Sequence, residues 1–187
     1  MSYFTAELAA KRLGMLHELV PGAGVLAVLV NPSNPNAENT IKDVKAAALA
    51  MKRRINILHA SDNREIGTAF AALVQARAAA LMTTPDALFT SRRVQIVALA
   101  ARYLVPTLYT SSEFAKAGEL MSYGTSLEEV YRQVGIYTGR MLNGEKPADL
   151  PVQRPTRFEL VINLQAAQAL DIDIPQTLLA RADEVIE

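Results

Sequence analysis

The side chains able to do chemistry gather in short polar clusters, each directly after an apolar run. Asn31-Pro32-Ser33-Asn34-Pro35-Asn36 follows Val25–Val30, and Ser61-Asp62 comes shortly after Ile55–His59. Thr83-Thr84-Pro85-Asp86, with Phe89 close behind, follows residues 78–82, and Thr110-Ser111-Ser112-Glu113 follows residues 105–109, which end on Tyr109. Together these clusters offer hydroxyls, amides, carboxylates and an aromatic ring. That set suits reversible capture of a small polar organic molecule. An Asp fixed beside an aromatic face would receive an ammonium group. Covalent or cofactor chemistry is poorly served. The first cluster has no glycine, so the Gly-rich turn that lets a backbone approach a pyrophosphate is missing. No Gly-x-Ser-x-Gly elbow, His-Glu-x-x-His pair or Walker-type lysine loop occurs. The imidazoles are His17, on the first helix and outside any crevice, and His59, at the end of an apolar run. A small-molecule enzyme, hydrolase-like or otherwise, with Asp86 or His59 as base is the rival reading. Neither residue has a nucleophile or orienting partner beside it in sequence. No cofactor and no metal ion is expected.

Each of these residues also has a plainer use. Asn31 and Asn36, set around prolines, would equally turn the chain and cap a helix. Asp86 would serve as a capping carboxylate, Phe89 as core packing, and Tyr109 and Tyr123 as strand-end packing. Arg92 and Arg93 read as a solvated helix face, and His59 as an interior histidine. The signal is the set of loops rather than any one side chain.

Those loops need a scaffold, and the pattern of the chain supplies one. Leu8, Met15, Leu16 and Leu19 form one helical stripe, with Lys11, Arg12 and Glu18 read as lying off it, and Pro21-Gly22 stops that helix. Val25–Val30 is continuously apolar, as in a strand buried on both faces. Ile41, Val44, Ala48 and Met51 mark a helix, residues 55–59 a strand, and Asp62 with Glu65 a capping box before Ile66, Phe70 and Leu73. Strands are expected over 78–82, 105–109 and 120–123. Helices are expected over 91–103 and in a short stretch ending at Gly118. Strands alternating with helices give a parallel sheet with right-handed crossovers. The fold class is therefore α/β, a parallel sheet flanked by helices. Ser126 with Glu129 opens a further helix carrying Val130, Val134, Tyr137 and Met141, and Asn143-Gly144 closes it. Pro147, Pro151 and Pro155 mark an extended connection. Residues 158–164 alternate as an exposed or edge strand would, and two short helices and an acidic end complete the chain.

Composition narrows the function classes. The chain has 187 residues, room for one domain or one and a half. Lys plus Arg and Asp plus Glu are each 19, leaving no net charge and no basis for a nucleic-acid partner held by phosphate neutralisation. The absence of cysteine excludes thiol catalysis, disulfides and thiolate metal sites. No apolar stretch approaches the ~20 residues that span a bilayer. The first residues do not show the basic and apolar pattern of a secretion signal.

Four stretches resemble a known family: "LHELVPGAGVLAVLVNPSNPNAE", "DALFTSRRVQIVALAARYLVPTLY", "LMSYGTSLEEVYRQVGIYTGRMLNGEKPADLPVQ" and "TRFELVINLQAAQAL…IPQTLLARADEVIE". They are similar to the ABC-transporter substrate-binding proteins of the tryptophan/tyrosine-type group, over essentially the whole chain. The resemblance implies a periplasmic-binding-protein fold of the first type. In that fold two α/β lobes close on a small amino-acid-like ligand, aromatic in the best-known cases, and the closed form docks on a membrane permease. By position it implies ligand-facing roles for Asn31, Ser33 and Asn36, for Asp86 and Phe89, and for Tyr109 and Glu113. Two departures bear on ligand identity. Asp86-Ala87-Leu88-Phe89 stands where the family often has Asp-Pro-Phe-Phe, and Ser112 stands where an Arg usually precedes the Glu-Phe pair.

The resemblance also implies a division of the chain. Residues 1–119 would form the second-lobe α/β domain, 120–158 a segment of a mostly missing first lobe, and 159–187 a segment returning to the second lobe. Full-length members carry a secretion signal and reside in the periplasm. This chain has no such signal, so it is expected to be a truncated form. The helix at 126–142 would then lack its lobe, and self-association as a homodimer through it and the strand at 158–164 is expected. The effector-binding core of a transcription regulator, which shares the fold, is the third reading.

Overall fold

A computed structural model describes residues 3–22, 24–112, 114, 117–151 and 157–187, with backbone alone for residues 3–7 and 127. Its centre is Val25–Val30 (β1), whose uninterrupted apolar character has a direct cause. Leu26, Val28 and Val30 face one layer of the core, Ala27 and Leu29 the other, and no water reaches either side. β1 lies between Ile55–His59 (β2) and Ala78–Thr83 (β3), parallel to both. Beyond β3 come Thr107–Tyr109 (β4), Met121–Thr125 (β5), Phe158–Asn163 (β6) and Glu184–Ile186 (β7), so the sheet runs β2-β1-β3-β4-β5-β6-β7. All pairings are parallel except β5 with β6.

Helices cover both faces. Tyr3–Leu19 (α1) and Ala37–Ala50 (α2) pack on the even face of β1. The same layer takes Ala167 of Leu164–Ala169 (α7) and Leu178 of Gln176–Leu179 (α8) into its interior, whereas Leu127–Leu142 (α6) contributes no described residue to it. Asn63–Gln75 (α3), Ala87–Ser91 (α4) and Arg93–Arg102 (α5) cover the odd face through Ile66, Phe70, Leu73, Phe89 and Ile96. The caps follow the sequence: Asp62 accepts from the Glu65 amide at 2.8 Å to start α3, and Ser126 accepts from the Glu129 amide to start α6. Gly118 and Gly144 take φ of +101° and +99° at the two chain turns expected there.

Two expectations are corrected. Residues 158–163 are not an exposed edge. Leu160, Val161 and Ile162 are buried, and β7, formed by the acidic end, pairs along the edge that would otherwise be open. The sheet itself continues past residue 119, where β5 pairs with β4 on one side and β6 on the other. The helix expected over 91–103 is α5, and a short helix not expected from the sequence, α4, precedes it because Asp86 caps a turn at Ala87 that ends at Arg92. Arg12 is not off the buried stripe of α1; it is 6% exposed, alongside Ala9, Leu13 and Leu16.

α6 stands apart from the core. None of its described residues is buried, and Tyr131, Val134, Ile136, Met141 and Leu142 are exposed. Its Tyr137 hydroxyl donates to the Pro151 carbonyl at 2.6 Å, tying the helix to the proline-rich connection.

Candidate functional site

The strand order contains one reversal. From β1 the chain crosses through α2 to β2 on one side, then returns through α3 to β3 on the other. The connections leaving the carboxyl ends of β1 and β3 therefore part in opposite directions and leave a crevice, the usual ligand position in open α/β sheets. The loops there are residues 31–36 and 84–86, two of the clusters singled out by their chemistry.

Their side chains form one hydrogen-bonded rim. Asp86 accepts from Asn31 Nδ2 at 3.1 Å and from the Leu88 amide at 2.8 Å through Oδ1, and from Asn34 Nδ2 at 2.7 Å through Oδ2. The amides in turn shape their own loop. Asn31 Oδ1 accepts from the Ser33 amide and Asn34 Oδ1 from the Asn36 amide, each at 2.9 Å, two Asx turns in succession. Asp86 is thus both the cap of α4 and the clamp between the two loops. Thr84 reinforces the junction by donating its hydroxyl to the Leu29 carbonyl at 2.9 Å. Asn36 occupies the capping position of α2 without capping it, so its amide is left at the exposed surface.

Beneath the rim lies a cavity of about 100 Å³ lined by Arg12, Asn34, Asn36, Thr40, Thr83 and Thr84 among others. Arg12 Nε donates to the Tyr123 carbonyl at 2.8 Å, which anchors the guanidinium between α1 and β5. Among the described residues nothing accepts from its two terminal amino groups, and no carboxylate pairs with it. Burial pulls its pKa down to about 10, so it stays cationic at neutral pH. An unpaired buried charge costs several kcal/mol. The Thr83 hydroxyl, also buried and without a partner, lines the same space.

The remaining sequence candidates sit elsewhere. Phe89 and Tyr109 are buried in the core layer under α3–α5, where Tyr109 stacks on Phe114 at 4.7 Å. That layer is on the face of the sheet opposite Ala9 and Met82, and neither ring lines the cavity. Ser33 is exposed and contributes its amide. Glu113 lies outside the described residues. His59 is exposed, not interior, at the end of the edge strand β2. With β1 between β2 and β3, strand spacing alone holds it roughly 10 Å from the β3 end, so it does not pair with Asp86 as acid and base. Among the described residues no three His, Asp or Glu side chains converge on a possible metal position. No described helix is long and apolar enough to cross a membrane.

Sequence reasoning missed Asn34 and Arg12. Asn34 shares the Asn-Pro-x-Asn-Pro-Asn spacing of its neighbours. Arg12 follows Leu8 by four and precedes Met15 and Leu16 by three and four, which is the buried stripe itself. A charge in that register signals a buried cation.

A doubly wound lobe with a polar rim at its switch point has the form of a small-molecule-binding domain. The chain belongs to the ABC transporter substrate-binding protein family, whose profile it matches over residues 4–186. The tyrosine-binding protein of Clostridioides difficile (strain R20291) is 23% identical over 162 residues, 87% of this chain and 47% of its own length. A conserved domain protein from Vibrio cholerae O1 biovar eltor superposes with a TM-score of 0.84 at 23% identity, over 95% of this chain and 60% of that one. An ABC domain in complex with L-Trp from Streptococcus pneumoniae also gives 0.84 at 23% identity, over 96% and 62%. The chain therefore spans about half the length of the curated relative it matches.

Proposed function

We propose that the chain is a lobe of the solute-binding component of an ABC importer, capturing an amino-acid-like solute and presenting it to a permease outside the cytoplasm. It works as a binding module rather than an enzyme. The observation that carries this reading is the Asn31–Asp86–Asn34 rim over the Arg12 cavity: fixed polar groups of both charges at a switch point, with no nucleophile or acid–base pair. The likeness to proteins described as tyrosine-binding and as an L-Trp complex supports an aromatic amino acid. Asn31, Ser33, Asn36 and Asp86 would face the solute, Phe89 and Tyr109 would support the loops from the core, and Glu113 is proposed as a further ligand contact.

Thermal-shift measurements with the L-amino acids, followed by calorimetry, test this. Saturation at a hundredfold over Kd is expected to stabilise the fold by about 2.7 kcal/mol. The ligand-dependent part of the rise should vanish in Asp86→Ala, whose baseline is also lower by about 1 kcal/mol through loss of the α4 cap. No shift with any amino acid, or turnover of esters, phosphates or sugars, would sink the reading.

A second copy of the chain is the partner we propose for the exposed apolar side of α6, where Tyr131, Val134, Met141 and Leu142 are open to solvent. Sedimentation equilibrium at tens of micromolar should show dimers that Val134→Lys returns to monomers. A strictly monomeric mass for the unaltered chain rules this out.

A further inference from the structure

We infer that the cavity beneath the β1 and β3 loop ends is a carboxylate-binding site, in which Arg12 and Thr83 receive the carboxylate of an α-amino acid. The inference rests on the amino-acid reading above and fixes which end of the solute goes in first.

One buried hydroxyl without a partner and one guanidinium whose terminal amino groups have no acceptor among the described residues line the same small space. Arg12 uses only Nε, on the Tyr123 carbonyl, and its terminal amino groups have no acceptor among the described residues. Thr83 buries a hydroxyl with no partner at all. A purely structural arginine would need no more than the Nε contact, and a threonine that only packs would be replaced by valine without loss. Two unpaired donors facing one void call for a group with two acceptor oxygens. A planar guanidinium matches a carboxylate in that geometry. One cation and about 100 Å³ suit a monoanionic head group rather than a phosphate dianion.

The rim supplies the complementary charge. Asn34 both lines the cavity and holds Asp86 Oδ2 at 2.7 Å, so a carboxylate stands at the mouth of a site whose interior is cationic. An α-amino acid carries its opposite charges on adjacent atoms and matches that polarity with the ammonium outermost. Its side chain would then project away from the sheet, over the loop ends.

The test compares L-tyrosine and L-tryptophan with their carboxamides and with tyramine, by calorimetry on the unaltered chain and on Arg12→Gln and Thr83→Val. The acids are expected to bind at least tenfold more tightly than the amides. That preference should fall below about twofold in both variants. Thr83→Val keeps the test open if Arg12→Gln does not fold. Equal affinity for acid and amide in the unaltered chain overturns the carboxylate site while leaving amino-acid capture standing. If neither aromatic binds, acetate and inorganic phosphate at matched ionic strength decide. Stabilisation by acetate alone, lost in Thr83→Val, upholds the site and removes the amino-acid reading. No response to acetate, or an equal response to phosphate, overturns it.

Discussion

Replacing Glu119 with glutamine is expected to stabilise the fold at neutral pH and to flatten its dependence on pH. Glu119 is 3% exposed and lies at the end of the sheet opposite the rim, just before β5. It lines a cavity of about 90 Å³ with Val97, Ala100, Val105, Leu120 and Ala166, an apolar set that gives its Oε1 no hydrogen-bond partner. Burial pushes its pKa up to about 9, and the nearby Tyr109 hydroxyl is raised as well, by burial first and by Glu119 second. Above the ordinary carboxyl range the unfolded chain has released this proton while the folded chain keeps it. Rising pH therefore favours unfolding by about 1.4 kcal/mol per unit, from near pH 4.5 until the folded group itself ionises. Glutamine cannot ionise, so its advantage should be absent at pH 4, reach about 3 kcal/mol at pH 7 and level off above pH 9. Urea denaturation of both proteins between pH 4 and 9 measures this difference. Parallel stability curves would show that Glu119 finds water or a partner in solution.

Gly124→Ala is expected to destabilise the protein by about 3 kcal/mol or more, through backbone collision rather than through loss of chain flexibility. Gly124 lies in β5, where a Cβ would fall 1.8 Å from the Thr110 carbonyl oxygen and 2.7 Å from its carbon. Both neighbours are main chain, so no rotamer change relieves the overlap. The alternatives are to push β4 from β5 or to pull Thr110 out of line, and Thr110 leads into the loop after β4. Gly135 in α6 is the matched control. Nothing stands within 4 Å of its added Cβ, and alanine in an exposed helix interior should raise stability by roughly 0.5–1 kcal/mol. Equilibrium unfolding of the two variants should move in opposite directions. A Gly124→Ala protein as stable as its parent would show that β4 and β5 do not approach so closely.

The parts of this molecule legible in the chain are those set by neighbours along it. The continuous apolar run of β1, the capping residues Asp62 and Ser126, and the turns at Gly118 and Gly144 all act within a few residues. The helix ends at Lys52, Arg77, Leu104 and Asp171 were harder to read. Each takes a left-handed φ between 50° and 55° without glycine, so the usual marker is missing. The backbone there is held by bonds such as Arg53 to the Ala48 carbonyl and Val105 to the Ala100 carbonyl, which offset a strain of about 1–2 kcal/mol apiece.

Which loops carry the polar residues of the candidate site is also a local matter, because strand ends and turn residues are written in sequence order. From residue types and topology alone, the sequence by itself determined an α/β sheet and a set of binding-type loops. Only the tertiary structure decided that Asn31, Asn34 and Asp86 close on one another, since hydrogen bonds across 52 to 55 residues depend on which strands become neighbours. It decided as well that Arg12 is buried under them and that residues 158–163 lie inside the sheet rather than at its edge. Helical and strand periods specify which face of an element is apolar. What that face meets is set by packing between elements distant in sequence, and there a cation or a strand finds its place by the cavity or pairing edge left to it.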